Sequence, residues 1–281
     1  MSERSPYLVS SDWLLERLDD PDVSIVDASW FLPNAERNGA EEYDRAHIPG
    51  AVFFDIDAIV DPGSDLPHTL APPDVFAREV GKLGISHDDT IVVYDSVGLF
   101  SAPRVWWNFR IMGAAKVVIL DGGLSGWIDD RLPIESGSAP IYPKLFDPRF
   151  DASDVVGFDE MRKLVAGGTV QVADARPAGR FDGSVPEPRA GMRSGHMPGA
   201  VNVPFDALQK NGRLLSPDRL RTLLTERGLS KTKPVVTSGG SGVTAAVLSL
   251  ALETIGHPNH RLYDGSWSEW GGRSDTPVAT E

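Results

Sequence analysis

The chain has no cysteine among its 281 residues, and that absence excludes disulfides, thiolate metal sites and thiol catalysis. It has no uninterrupted apolar run approaching the roughly 20 residues that cross a bilayer, which argues against a membrane-spanning protein. The opening residues, Met1 to Tyr7, lack the basic-then-apolar pattern of a secretory signal, so a cytoplasmic location is expected. Positive charge is in deficit: 27 Lys+Arg stand against 40 Asp+Glu, a net charge of −13. Such a balance repels polyanions and excludes nucleic acid and acidic membranes as partners. No cluster of histidines and acids has metal-ligand spacing, and no metal is expected. What remains is ordinary: 41% hydrophobic and 24% charged residues, in a length that corresponds to about two domains.

A long internal repeat supports that division. His47-Ile-Pro-Gly-Ala-Val52 returns as His196-Met-Pro-Gly-Ala-Val201, and Val26-Asp-Ala28 returns as Ala173-Asp-Ala175. Leu120-Asp-Gly-Gly with Trp127 is matched by Tyr263-Asp-Gly-Ser with Trp270. Landmarks in the same order, half a chain apart, indicate a duplicated domain rather than a solenoid. The reading places a first domain at 1–133, a Pro/Ser/Gly-rich linker at 134–150 and a second domain at 151–281.

Each half alternates short β-rich runs with amphipathic helices. Ser24–Asp27, Thr90–Asp95 and Lys116–Asp121 read as strands, as do Val170–Ala175, Pro234–Ser238 and Arg261–Asp264. Helices are expected over Asp74–Leu83, from Ser101 to near Gly113, from Ser216 to Gly228 and over Val243–Ile255. Strands alternating with helices imply an α/β fold with a parallel sheet in each half. His47 and His196 precede Pro-Gly turns and read as hydrogen-bonded turn residues, while Trp106, Trp107 and Trp270 read as packing.

In open parallel sheets ligands bind at the carboxyl ends of strands. The most informative such end is Val235-Val-Thr-Ser238, followed by Gly239-Gly-Ser-Gly242 and the helix from Val243. Glycines beside a serine let backbone N–H groups turn inward, and the helix start adds partial positive charge, giving an anion cradle. A plain tight turn is the simpler alternative. A Walker loop fails for want of a lysine, and a hydrolase elbow fails because Val243 stands where its last glycine belongs. Gly240-x-Gly242-x-x-Ala245 does fit a dinucleotide fingerprint, with Asp264 near the place of a ribose-binding acid. The residues after Asp264 are too few for a second mononucleotide half, and Asp95-Ser-Val-Gly98 in the first half lacks the pattern.

Taken together, the repeated H-[IM]-P-G-A, the strand-ending Asp27-Ala and Asp174-Ala-Arg176, and the Asp-Gly…Trp endings resemble a tandem rhodanese-type sulfurtransferase over almost the whole chain. Gly239-Gly-Ser-Gly-Val-Thr244 is similar to the C-G-S-G-V-T loop of 3-mercaptopyruvate sulfurtransferases, whereas the thiosulfate-preferring branch carries a basic C-R-K-G-V-T. The resemblance implies two homologous rhodanese-like domains, each a parallel sheet flanked by helices, and no cofactor. It implies sulfur transfer from 3-mercaptopyruvate through a cysteine persulfide to a thiol such as thioredoxin or glutathione, or to cyanide, with release of pyruvate. Monomeric behaviour is expected.

Residue by residue, the resemblance assigns substrate contacts to Arg180, Arg189, Gly240, Gly242, Val243 and Thr244, and a Ser–His–Asp relay to Ser241, His68 and Asp57. Arginine forks suit a carboxylate and a keto oxygen, and a cradled thiolate has a lowered pKa. Asp57 and His68 as independent loop residues is the alternative. The chain departs from the pattern at the nucleophile, which falls on Gly239. A glycine forms no persulfide, and a neighbouring serine does not replace a thiolate, so the chain is expected to lack turnover. Either a catalytic cysteine has been replaced by Gly239 in an otherwise intact enzyme, or the chain is a non-catalytic relative that binds anions or a partner. The position matching Gly239 in the first half is Asp95, an acid expected to repel anionic substrates, which leaves one active site.

Overall fold

The computed structural model describes residues 4–280. The first sheet contains β1 (Leu8–Val9), β2 (Val23–Asp27), β3 (Val52–Phe53), β4 (Thr90–Tyr94) and β5 (Lys116–Leu120), in the order β1-β5-β4-β2-β3. In the second half come β6 (Val155–Val156), β7 (Gln171–Asp174), β8 (Val201–Asn202), a hairpin of β9 (Gln209–Lys210) and β10 (Arg213–Leu214), then β11 (Val235–Ser238) and β12 (His260–Tyr263). Its main sheet runs β6-β12-β11-β7-β8, the same order once the hairpin is set aside. Every pairing within the two main sheets is parallel. The central strands are Val/Ile-rich because both faces are covered by helices. The outer strands β1, β3, β6 and β8 have only two residues each, too short to leave a pattern in the sequence.

The expected helices occupy Pro73–Lys82, Ala102–Ile111, Pro217–Glu226 and Ala245–Thr254. Two expected caps work differently. Ser101 stands at the N-cap, but its hydroxyl donates to the Ala28 carbonyl at 2.6 Å, and Ser216 makes no side-chain cap bond. The last helix starts two residues later than its apolar pattern, because Val243 and Thr244 form a turn leading out of the glycine loop.

Segment 134–150 carries no helix or strand, yet it is strapped to the first half. Phe146 is buried against Phe76 and Phe109, and the Lys144 ammonium lies 3.0 Å from the Asp89 carboxylate. Glu135 bridges to His47 as Ala279 bridges to His196, so the repeat extends into the segment read as linker. Both histidines use Nδ1 on a carbonyl, Tyr43 at 2.7 Å and Phe181 at 2.8 Å, and each stacks on the ring of that same residue. Trp106, Trp107 and Trp270 are buried.

The halves share a core. Helices 102–111 and 245–254 are buried almost all round, with only Arg110 in the first and Glu253 in the second left partly accessible. They pack so that Val243, Ala245 and Leu250 join one cluster with Val105, Trp106 and Phe109. This brings the start of each helix, and the loop before it, to the boundary between the halves.

Candidate functional site

The loop after β11 is held from behind by its carbonyls. The Trp267 amide donates to the Gly239 carbonyl at 3.0 Å, and the Ser268 amide and hydroxyl both donate to that of Gly240, at 2.7 and 2.8 Å. Arg104 of the first half reaches the Gly242 carbonyl. The Gly239 amide donates to Ser266 Oγ. The Asp-Gly-Ser-Trp-Ser-Glu-Trp ending at 264–270 is thus the brace of the loop. Among the described residues, the amides of Ser241, Gly242, Val243 and Thr244 donate to no protein acceptor. Carbonyls turned back and amides left over make a cradle for negative charge.

The first half shows what such a cradle holds. Asp95 Oδ1 accepts from the amides of Val97 and Gly98, and Oδ2 accepts from those of Phe100, Ser101 and Ala102. A carboxylate therefore already fills the first cradle, a stronger reason than repulsion for that half to take no external anion. The position matching Asp95 is Gly239. Its φ is not in the left-handed region, so its backbone can carry a side chain. A Cβ there would lie 2.8 Å from Thr244 Oγ1, a hydroxyl that can rotate away, and 3.0 Å from the Ala245 amide nitrogen. By contrast Gly242, expected at the ligand, makes the turn itself at φ +82° and does not line the adjoining cavity.

That cavity, of about 180 Å³, is lined by Gly240, Ser241, Val243 and Thr244 of the loop together with Arg180 and Arg189. Its opposite wall is apolar and includes Trp30 and Phe100 from the first half and Phe205 from the second. The two arginines differ. Arg180 is gripped by Glu187, with Nη2 on Oε2 at 2.5 Å and Nε on Oε1 at 3.1 Å, and Glu187 also pairs with buried Arg176 at 2.8 Å. Among the described residues Arg189 has no ion pair or side-chain hydrogen bond, only the Trp30 ring 5.9 Å from its guanidinium. Burial, and then the Arg180 charge, pull its pKa down from the usual arginine value. A half-buried cation with a like charge beside it is relieved by an incoming anion.

Across the boundary, His68 Nδ1 lies 2.7 Å from Ser241 Oγ, and Nε2 lies 2.7 Å from Asp57 Oδ1. The Trp30 indole donates to the other Asp57 oxygen at 3.0 Å and packs edge-on to the imidazole. The hydrogen bond from His68 holds the Asp57 carboxyl below its usual range, while burial pushes the His68 pKa below 6.5. The network therefore assigns a neutral imidazole with its proton on Nε2, donated to the carboxylate, and with Nδ1 accepting the Ser241 hydroxyl. Two residues of one half and one of the other form a single chain of hydrogen bonds.

Trp30, Phe100 and Phe205 give no signal in the sequence, since each lies far along the chain from the glycine loop, and Glu187 reads there as an ordinary surface acid. Asp264, considered there for a ribose, accepts from Arg104 Nη2 at 2.6 Å and from the Leu70 amide at 2.9 Å. No group of histidines and acids among the described residues is arranged to hold a metal ion. No helix among them is long and apolar enough to cross a membrane.

Comparison with known proteins bears on the fold and the family. A model of the rhodanese-like domain matches residues 10–130 and again 158–273. The chain is 48% identical over 273 residues to the 3-mercaptopyruvate sulfurtransferase of Escherichia coli K12, covering 97% of each chain. It is 41% identical over 270 residues to the human 3-mercaptopyruvate sulfurtransferase, covering 94% of this chain and 91% of that one. The crystal structure of SseA from Escherichia coli, described as a 3-mercaptopyruvate sulfotransferase of rhodanese fold, superposes with a TM-score of 0.86 at 46% identity, over 93% of this chain and 98% of that one.

Proposed function

The chain belongs to the rhodanese family, as two rhodanese-like domains in tandem, and from that premise we propose that its second domain is a 3-mercaptopyruvate sulfurtransferase site with glycine at the nucleophile position, 239. As it stands, the chain binds the 2-oxo acid and does not turn it over. The observation that carries this reading is the Asp57–His68–Ser241 chain, assembled across the two halves beside a loop that has no side chain at 239. A relay with no sulfur to serve has a purpose only around the reaction that its relatives perform.

In this reading Arg189 takes the substrate carboxylate, and Arg180, oriented by Glu187, takes the keto oxygen. With a cysteine at 239, its thiolate attacks the substrate sulfur and a new S–S bond forms. The C–S bond breaks and its electron pair leaves on the enolate of pyruvate. The proton carried by the substrate sulfur passes through Ser241 to Nδ1 of neutral His68 and returns by the same path to the enolate carbon, so that pyruvate leaves and a persulfide remains. The resulting persulfide gives its outer sulfur to a thiol acceptor such as thioredoxin or glutathione. Such a site needs no cofactor, and we place it in a cytoplasmic monomer.

The test is pyruvate release from 3-mercaptopyruvate, comparing the chain with its Gly239→Cys variant. Only the variant is expected to turn over. If neither does, the catalytic reading fails, and a non-catalytic anion- or partner-binding role takes its place.

A further inference from the structure

One side chain touches both ends of the contact between the halves. Arg104, in the first turn of helix 102–111, is fully buried. Its Nη2 donates to the His68 carbonyl at 2.8 Å and to Asp264 Oδ1 at 2.6 Å, and its Nη1 reaches the Gly242 carbonyl at 3.4 Å. The other Asp264 oxygen accepts the Leu70 amide at 2.9 Å. Residues 68–70 are thus clamped at both ends by one ion pair, and the same guanidinium holds the residue next to Ser241.

The clamp has work to do. His68 sits at φ +62°, in the left-handed region that non-glycine residues rarely occupy. Backbone strain of that kind persists only where the surroundings over-determine it. Without the clamp, segment 68–70 can relax toward ordinary backbone angles, which turns the imidazole away from Ser241. The requirement is one-sided: the helix of the second half carries the apolar residues Val247 and Leu248 at the same stage of its repeat. Nor does stability call for an arginine here, since apolar groups often replace a buried ion pair without loss.

We propose that Arg104 is the positioning residue of the site: it fixes the spacing and orientation of the His68–Ser241 contact across the two halves. This rests on the relay role given to His68 and Ser241 above. It also gives the first domain's helix a task in the second domain's chemistry.

Two readouts test it. In the Gly239→Cys background, Arg104→Lys is expected to lower kcat about tenfold or more while KM for 3-mercaptopyruvate changes less than about twofold, because Arg180 and Arg189 are untouched. In the chain as it exists, the imidazole nitrogen signals of His68 in NMR should show the proton fixed on Nε2, and Arg104→Lys should shift them and move the titration of His68 up toward the usual histidine value. Should Arg104→Lys fold poorly, the pair Arg104→Met with Asp264→Leu removes both charges and is read in the same two ways. A folded variant with unchanged kcat and unchanged His68 signals overturns the proposal, and so does a rise in KM alone. The NMR arm needs no turnover. A silent Gly239→Cys variant with shifting His68 signals would therefore overturn the catalytic reading while leaving the positioning role intact.

Discussion

Single residues separate the two halves of this duplicated chain. Gly239 and Asp95 occupy one position, and the change from hydrogen to carboxylate decides whether a cradle waits for an anion or holds its own. A second contrast lies one strand away. Asp174 is answered by Arg176 at 2.6 Å, but Asp27 has Ser29 in the matching place. Burial pushes the Asp27 carboxyl up to about 6 from an ordinary 3.8. A carboxyl whose folded pKa is raised favours the fold while protonated, and that support is lost as pH rises from about 4 through about 6. Asp27→Asn is therefore expected to gain stability relative to the parent between pH 4 and pH 7, by up to about 3 kcal/mol, in urea unfolding at the two pH values. A constant difference across that range would show that Asp27 ionises freely in the folded protein.

At the scale of elements, the loop from Phe181 to Gly195 fixes an arginine on the cavity wall. Glu187 lies between Arg176 and Arg180 and fixes the second through two hydrogen bonds. Glu187→Gln keeps the shape but loses the charge-assisted pairing, which leaves Arg180 free to swing off the cavity wall. The expected outcome in the Gly239→Cys background is a KM for 3-mercaptopyruvate raised about five- to twentyfold, with kcat within about threefold, by steady-state kinetics. Unchanged KM would place Arg180 away from the substrate. Arg180 and Arg189 are singled out only by likeness to the family, since arginines on a Gly/Pro-rich stretch otherwise read as solvated surface residues. Glu187 lies in the same stretch, but a glutamate between two arginines reads as any surface acid until the fold buries it.

Over the whole molecule, helices 102–111 and 245–254 join the halves through a shared apolar core, and the relay crosses the same boundary. Residues 151–281 expressed alone would expose Val243, Ala245 and Leu250, so that fragment is expected to bind a hydrophobic dye strongly and to lose both on mixing with the other half. A fragment that is compact and dye-silent by itself would contradict a shared core. The duplicated α/β architecture, the central strands and the glycine loop were legible along the chain, because those depend on local periodicity, turn chemistry and repetition. The sequence also carried Ser241, His68 and Asp57, but only through likeness to a family, since nothing local ties residues 57 and 68 to 241. That Asp95 fills its own cradle, that Glu187 orients Arg180 and that Arg104 holds residues 68–70 emerged only with the folded chain. Each of these depends on groups far apart in sequence meeting inside a low-dielectric interior, where an unpaired charge or amide is too costly to leave and every partner is fixed by packing.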